Sequence, residues 1–309
     1  MPVATIRIFI AVAFITFLLI PCSAQTESDT STIEEFNLKR LAWIASSETA
    51  LASGSLVLLH QYWYKDFPKS GFHLFNDNDE WLLMDKVGHT VTAYNVGLIG
   101  VEGFKWCGLE EKKAVWMGGS LGVAYLSAVE IMDGYSAQWG FSIGDFASNL
   151  IGGGMLISQE LIWKEQRIKL KYSFRESSLA SYRPDLLGDS FVEQALKDYN
   201  GQTYWLSANL SSFIARDNRL PKWLNIAFGY GVDGLLGAKY NPLILDDFGN
   251  VVNRNRHTQY YLSFDVDLSR IETNSPFVKV LFGTLSFIKI PLPAIGFSRN
   301  GVEGLLFGF

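Results

Sequence analysis

The chain has 309 residues, of which 48% are hydrophobic and 14% aromatic, and its formal net charge is −5. This length suffices for one large domain or two modest ones. The acidic balance argues against a nucleic-acid partner, because phosphate binding requires a basic face.

Residues 1–24 predict a cleavable signal peptide. A positively charged start precedes an apolar run over residues 8–20, and Cys22 and Ala24 place small residues at the −3 and −1 positions of a cleavage site. This order is the secretory pattern, and the apolar run is short for a permanent membrane span. Two alternatives stay open: lipidation at Cys22, which Pro21 directly before it disfavours, and an uncleaved anchor helix. We therefore expect an exported protein.

The first half of the mature chain predicts helices. Residues 25–33 are rich in Ser, Thr and acidic residues and predict a flexible N-terminus, and residues 34–165 predict a helical domain built as a four-helix bundle. Its apolar stretches cover residues 41–60, 81–106, 112–133 and 143–163. Small residues in the third and fourth stretches allow helices to approach closely in water or in lipid, so a soluble bundle and membrane helices both stay open.

Residues 166–309 predict an antiparallel β-rich domain, because the hydrophobic period switches towards two. Alternation covers residues 168–174, 203–210, 223–230 and 260–268, with further strand candidates at 278–290 and 302–309 and one helix at 189–198. A complete barrel needs at least about eight strands. The six candidates therefore fit either a sheet with one apolar face packed on the helices or a small or incomplete barrel, and the predicted fold class is α+β.

The predicted helices carry polar pairs that would be costly in an apolar environment. Spacings of three and four residues place the members of each pair on one helix face. The pairs are Asp85 with His89, Glu130 with Asp133, and Asp145 with Asn149. Charges in apolar helices require one another, water or a metal, so we expect the three pairs to converge in one polar cluster.

The composition of this cluster predicts two kinds of chemistry. One imidazole among carboxylates and an amide is typical of a site for a divalent metal such as Mg²⁺, Mn²⁺ or Ca²⁺, or for Zn²⁺, and all six residues are candidate ligands. The same groups could instead act in acid–base catalysis, with His89, Asp85 and Glu130 as the catalytic candidates.

Simpler structural roles stay open for individual members of the cluster. Asp145 could complement the dipole of a helix for which Ser142 is the expected N-cap, and Asp133 could cap a turn. Lys86 could form a buried ion pair with Glu130 that has no chemical role.

These motifs also carry a family resemblance. They are Asp-Lys-Val-Gly-His at residues 85–89, Glu-Ile-Met-Asp at 130–133, Phe-Ser-Ile-Gly-Asp at 141–145, Asn149 and Gly152. Over about residues 81–157 the chain resembles the YfiM-type family of predicted periplasmic lipoproteins, whose function is not established, and more distantly the VanZ-like membrane proteins. The strand-rich half, including residues 196–207, resembles the extension of this family in Bacteroidota. The resemblance implies a bacterial cell-envelope protein and supplies no reaction.

The aromatic end of the chain, Phe307 to Phe309, resembles the closing strand of outer-membrane barrels and favours the outer membrane as location and partner, beside envelope proteins. Three functions stay open: a structural or accessory envelope protein, a metal-dependent hydrolase or transferase acting on a lipid, glycan or phosphorylated envelope precursor, and an ion or small-molecule pathway. The first is favoured, because no catalytic nucleophile is recognisable and the sequence contains no His-Glu-x-x-His or phosphate-loop motif.

Overall fold

The computed structural model describes residues 36–64, 67–214, 220–246, 248–252 and 254–308. The predicted signal peptide, the predicted flexible N-terminus at residues 25–33, the lipidation candidate Cys22 and the terminal Phe309 lie outside the described residues. Within them the chain forms long helices followed by an antiparallel sheet, which confirms the predicted α+β class.

Four long helices lie where the sequence predicts them. They are α1 (Leu38–Leu59), α2 (Met84–Trp106), α3 (Glu111–Gly134) and α4 (Ile143–Trp163). Helix α1 begins after Asn37, whose side-chain oxygen accepts hydrogen bonds from two first-turn amides. Helix α4 begins after Ser142, whose hydroxyl accepts from the amide of Asp145, which confirms the predicted N-cap. Shorter helices follow: α5 (Pro184–Leu187), α6 (Phe191–Lys197), α7 (Leu210–Phe213) and α8 (Pro276–Leu285).

Helices α2, α3 and α4 pack closely because glycines occupy their crossing points. A side chain at Gly122 of α3 would collide with the carbonyl of Ala93 in α2, and one at Gly152 of α4 would collide with the carbonyl of Thr90. The core between these helices contains Val91, Tyr94, Val101, Val115 and Leu156, and it extends to Leu170 of the sheet. Backbone contact at the glycines thus brings the polar residues of the three helices within reach of one another.

The predicted four-helix bundle is only partly realised, because α1 lies at the edge of the other three helices. Its buried residues among those described are Ile44 and Ser55, and the Ser55 hydroxyl lies 2.9 Å from that of Tyr125 in α3. Trp43 is 63% exposed. Helices α1 and α3 are long and apolar enough to cross a membrane by length and composition, which is weak evidence by itself.

The described residues form eight strands in two sheets. They are β1 (Leu74–Phe75), β2 (Phe141–Ser142), β3 (Ile168–Phe174), β4 (Gln202–Asn209), β5 (Leu224–Asp233), β6 (His257–Val266), β7 (Leu292–Ser298) and β8 (Gly301–Gly308). The short strands β1 and β2 pair in parallel and join the polar loop before α2 to the start of α4. Strands β3 to β8 form one antiparallel sheet in chain order, with β3 and β8 at its edges.

The strand predicted at residues 278–290 is wrong, because most of this segment forms α8. Ser275 caps the helix by accepting from the amide of Val278, and Pro276 occupies its first turn. The strand of this region is β7, which begins at Leu292. Residues 278–282 are apolar except for Lys279, and they fit both the helical and the strand period, so the N-cap decides the structure.

The sheet meets the helices along part of one face. Leu170 of β3 packs against Val91 of α2 and Leu156 of α4, as the sequence predicts for an apolar face on a helical layer. The strands β5 to β7 instead expose apolar side chains, and the division into two domains at residue 165 stays a prediction.

Candidate metal centre

Three helix ends meet at one end of the helical layer. The chain reverses between α2 and α3 and again between α3 and α4, so the start of α2, the end of α3 and the start of α4 lie together. These ends carry the residues that the sequence pairs, namely Asp85, His89, Glu130, Asp133, Asp145 and Asn149. The convergence follows from the up-and-down order of the helices.

The imidazole of His89 is held between α3 and α4. Its Nδ1 lies 3.0 Å from the side-chain oxygen of Asn149, which is fully buried. Its Nε2 lies 3.7 Å from Glu130 Oε1 and 3.9 Å from Asp85 Oδ1. Because an amide oxygen only accepts, Nδ1 donates the hydrogen bond, and Nε2 faces the two carboxylates.

A buried lysine neutralises part of the cluster. Lys86 Nζ lies 2.6 Å from Asp77 Oδ1, 2.9 Å from Asp145 Oδ1 and 3.7 Å from Asp85 Oδ2. The sequence leaves open a pair between Lys86 and Glu130, but the structure pairs this lysine with aspartates of the loop, of α2 and of α4. Burial opposes the lysine's charge, yet the three aspartates outweigh that effect and raise its pKa.

Ser142 connects the cluster through three hydrogen bonds. Its amide donates to Glu130 Oε2 at 3.0 Å, its hydroxyl donates to Asp77 Oδ1 at 2.7 Å, and the same hydroxyl accepts from the amide of Asp145 at 3.1 Å. The pairing of β1 with β2 positions this residue, so the N-cap of α4 also orients two carboxylates.

The cluster contains more buried negative charge than its cations offset. Burial raises the pKa of Glu130 to about 8, against the opposing effects of His89 and the Ser142 amide. Burial and the charge of Asp85 raise the pKa of Asp145 to about 7. Burial disfavours the charged imidazole of His89, but Asp85, Asp145 and Glu130 outweigh it and raise its pKa. Buried carboxylates whose pKa values are raised in this way bind either protons or a cation.

Asp133 and Asp85 also have partners outside the three helices. The Asp133 carboxylate accepts a hydrogen bond from the Tyr64 hydroxyl at 2.7 Å, and burial raises its pKa to about 6 although this bond lowers it. Asp85 accepts from the Tyr199 hydroxyl at 2.8 Å. Tyr199 lies between α6 and β4, so the strand-rich half of the chain contributes directly to the cluster.

Asp85, His89 and Asp145 can each offer one ligand atom, and these atoms lie within 4.8 Å of one another. Two ligand atoms that are each about 2.1 Å from an ion lie roughly 3 to 4 Å apart, so a small inward movement suffices for coordination. The Asp85 side chain is 32% exposed and that of Asp145 is 4% exposed. An ion or a substrate would therefore enter on the Asp85 side.

The structure brings five of the six predicted residues together and places Asp133 beside them, bonded to Tyr64. Asn149 contacts the far nitrogen of His89, so its geometry is that of a residue that orients a ligand. Sequence reasoning missed Asp77 and Tyr199 as members of the cluster, and for Lys86 it considered Glu130 as the partner and not the aspartates. The acidic loop before α2 could have indicated Asp77, whereas no local pattern indicates Tyr199.

This stretch matches a known family. The family described as predicted periplasmic lipoprotein (DUF2279) matches residues 72–159, which is somewhat more than a quarter of the chain. The matched segment includes Asp77, Lys86 and all six predicted residues of the cluster. No curated protein and no solved structure is significantly similar to the chain. The match supports an envelope protein that is exported to the periplasm and associated with a membrane.

Proposed function

We propose that this chain is an outer-membrane-associated protein of the cell envelope that binds a divalent cation between α2, α3 and α4. Asp85, His89 and Asp145 would be the ligands, Glu130 would be a fourth candidate ligand, and Asn149 would orient the imidazole. The observation that carries the proposal is the approach of three ligand atoms to within 4.8 Å in a cluster with excess buried negative charge.

The role that this site supports best is structural or accessory. A cation bound there would join the three helix ends and, through Asp85 and Tyr199, the strand-rich half. Binding to the folded chain alone would stabilise the fold, because the ligand atoms separate on unfolding. No serine, threonine or cysteine among the described members of the cluster is activated as a nucleophile; Ser142 uses its hydroxyl as a cap.

A second candidate function is a metal-dependent hydrolase or transferase acting on a lipid, a glycan or a phosphorylated envelope precursor. The observation that favours it is the partial exposure of Asp85 and His89, since a three-ligand site open on one side leaves coordination positions for water and substrate. Glu130, whose carboxyl is buried beside His89, would then be the acid–base group.

Metal analysis of the purified full chain tests the cation site. We expect a stoichiometric divalent metal after dialysis against Mg²⁺, Mn²⁺, Ca²⁺ or Zn²⁺, and its loss in His89→Ala and Asp145→Ala. Asp265→Asn is the matched control, because Asp265 is an equally buried carboxylate that pairs with Lys171 and Ser207 in the sheet, away from the cluster. Metal-free wild-type protein under all four conditions would refute the proposed site.

A further inference from the structure

The six-stranded sheet presents an apolar surface along β5, β6 and β7, here called the outward face. Its central side chains are Ile226, Phe228, Leu262, Phe264, Ile295 and Phe297, which are 38–56% exposed. The register makes them cross-strand neighbours, since Phe228 lies opposite Leu262 and Leu262 lies opposite Ile295. Alternate residues on one side of the described strands β5 to β7 include no charged side chain.

The opposite face of the same sheet is buried, and it carries charged and polar side chains beside Trp205 and Tyr261. Lys171 and Asp265 are both 0% exposed, and their charged atoms lie 2.6 Å apart. Ser207 donates to Asp265 at 2.6 Å and accepts from Asn225 at 2.8 Å. These groups satisfy one another inside the fold, so the sheet hides its polar side chains and exposes its apolar ones.

This pattern is the reverse of the one found in sheets that have one face in water. A sheet with one face in water has polar residues outward and apolar residues inward, and contiguous exposed apolar patches on monomers are uncommon. Apolar-out and polar-in alternation is the pattern of strands that face hydrocarbon. The inversion therefore identifies the medium outside β5 to β7 as apolar.

The dimensions and the charges at the rims agree with a bilayer. Strands β5 and β6 have 10 residues each, within the roughly 9–11 residues of a tilted strand that crosses the hydrocarbon layer. The exposed ion pair of Lys222 with Glu272 lies at one end of the outward face. Exposed Arg254 and Arg299 lie at the other end. An uncharged band between two charged rims matches hydrocarbon between two headgroup layers.

A groove of about 250 Å³ crosses this face, and Ile226, Leu262, Phe264 and Ile295 are among the residues that line it. A protein partner would need roughly one hydrogen bond per 100–200 Å² of interface, and the alternating side chains of this face are almost all hydrocarbon. Acyl chains need no hydrogen bonds and can fill an irregular apolar groove.

We infer that the outward face of β5 to β7 lies against the acyl chains of a lipid bilayer. This inference rests on the membrane association of the proposed function and names the surface that makes the contact. It does not depend on the cation site, whose residues lie on the helices.

The test uses the full chain in vesicles of phosphatidylethanolamine and phosphatidylglycerol that contain a doxyl-labelled phosphatidylcholine. A bimane label is attached to Phe228→Cys and, separately, to Phe264→Cys. Phe248→Cys is the matched control, since Phe248 is 89% exposed in the loop between β5 and β6. The unsubstituted chain measures background labelling of the two native cysteines, Cys22 and the buried Cys107. We expect quenching by the lipid to be several-fold stronger at positions 228 and 264 than at position 248.

Flotation with the vesicles distinguishes a failure of the proposed membrane association from a failure of the inference about the outward face. A chain that does not float with lipid contradicts the membrane association itself. A chain that floats while the labels at 228 and 248 are quenched equally overturns the inference alone. Shielding of position 228 from aqueous iodide without quenching by the lipid would mean that a protein covers the face, which also overturns it. Metal content measured on the same samples reports on the cation site independently.

Discussion

Asn149 in α4 accepts a hydrogen bond from Nδ1 of His89 in α2 at 3.0 Å, and this contact fixes which nitrogen of the imidazole faces the carboxylates. The amide oxygen selects the Nδ1–H form, so Nε2 is directed at Asp85 and Glu130. An imidazole oriented in this way is prepared to accept a cation at Nε2.

Replacing Asn149 by Ala should weaken metal binding without removing a ligand. Loss of the partner that orients a ligating histidine typically lowers metal affinity by about 10- to 100-fold. Asn149→Asp should retain most of the affinity, because a carboxylate also accepts from Nδ1. Titration calorimetry of both variants checks this, and equal losses in the two would show that Asn149 acts through packing instead.

Replacing Lys86 by Met should destabilise the metal-free chain by about 3 kcal/mol, because Asp77 and Asp145 would lose their shared buried cation. Lys113→Met is the matched control, since Lys113 pairs with Glu110 at the surface and should contribute at most about 1 kcal/mol. Denaturant unfolding measures both values. Similar values for the two variants would contradict a structural role for the Lys86 charge.

The metal-free chain should lose stability as the pH rises through about 7 and about 8, the pKa values of Asp145 and Glu130. Both values lie above the ordinary values of 3.8 and 4.5, so the folded state binds more protons than the unfolded state in this range. The stability conferred is complete below the ordinary pKa values of 3.8 and 4.5 and decreases from there up to the raised values of about 7 and about 8, because the carboxyls of the unfolded chain ionise first. His89, whose pKa is also raised, acts in the same direction.

A saturating divalent cation should flatten or reverse this dependence, because it replaces the protons on the same carboxylates. Metal affinity should therefore increase with pH over the interval in which stability of the metal-free chain decreases. Urea unfolding at a series of pH values, with and without metal, checks both. A pH profile that the metal leaves unchanged would argue against ligation by Asp145.

Replacing either of two α4 glycines by Ala should change the stability of the chain in opposite directions, although the two glycines are only two positions apart. Gly152→Ala places a methyl group against the carbonyl of Thr90 and should cost about 1–3 kcal/mol, with disruption of the contact between α2 and α4. Gly154 has no atom within 4 Å of an added Cβ, so Gly154→Ala should stabilise the helix by up to about 1 kcal/mol. Thermal unfolding measures the stability change of each variant. Changes of the same sign in both variants would refute the close packing of α2 against α4 at Gly152.

The sequence by itself determined the long helices, most of the strands and the candidate site. Helical and strand periods are local properties of the sequence, and Ser142 caps α4 through a hydrogen bond within one turn. These features can therefore be recognised without knowledge of the fold. The three polar pairs were identifiable because charges in apolar helices require partners. One strand was misplaced, because the segment at residues 278–282, apolar except for Lys279, is compatible with either period.

Only the tertiary structure decided which partners the charged groups have. Lys86 contacts Asp77 through the pairing of β1 with β2, and Asp85 contacts Tyr199, which is 114 positions away in the sequence. Alternation along β5 and β6 likewise shows that a strand has two unlike faces, but it does not show which face is inside. Burial of Lys171 against Asp265 settles that question, because an ion pair in the interior turns the apolar side chains outward.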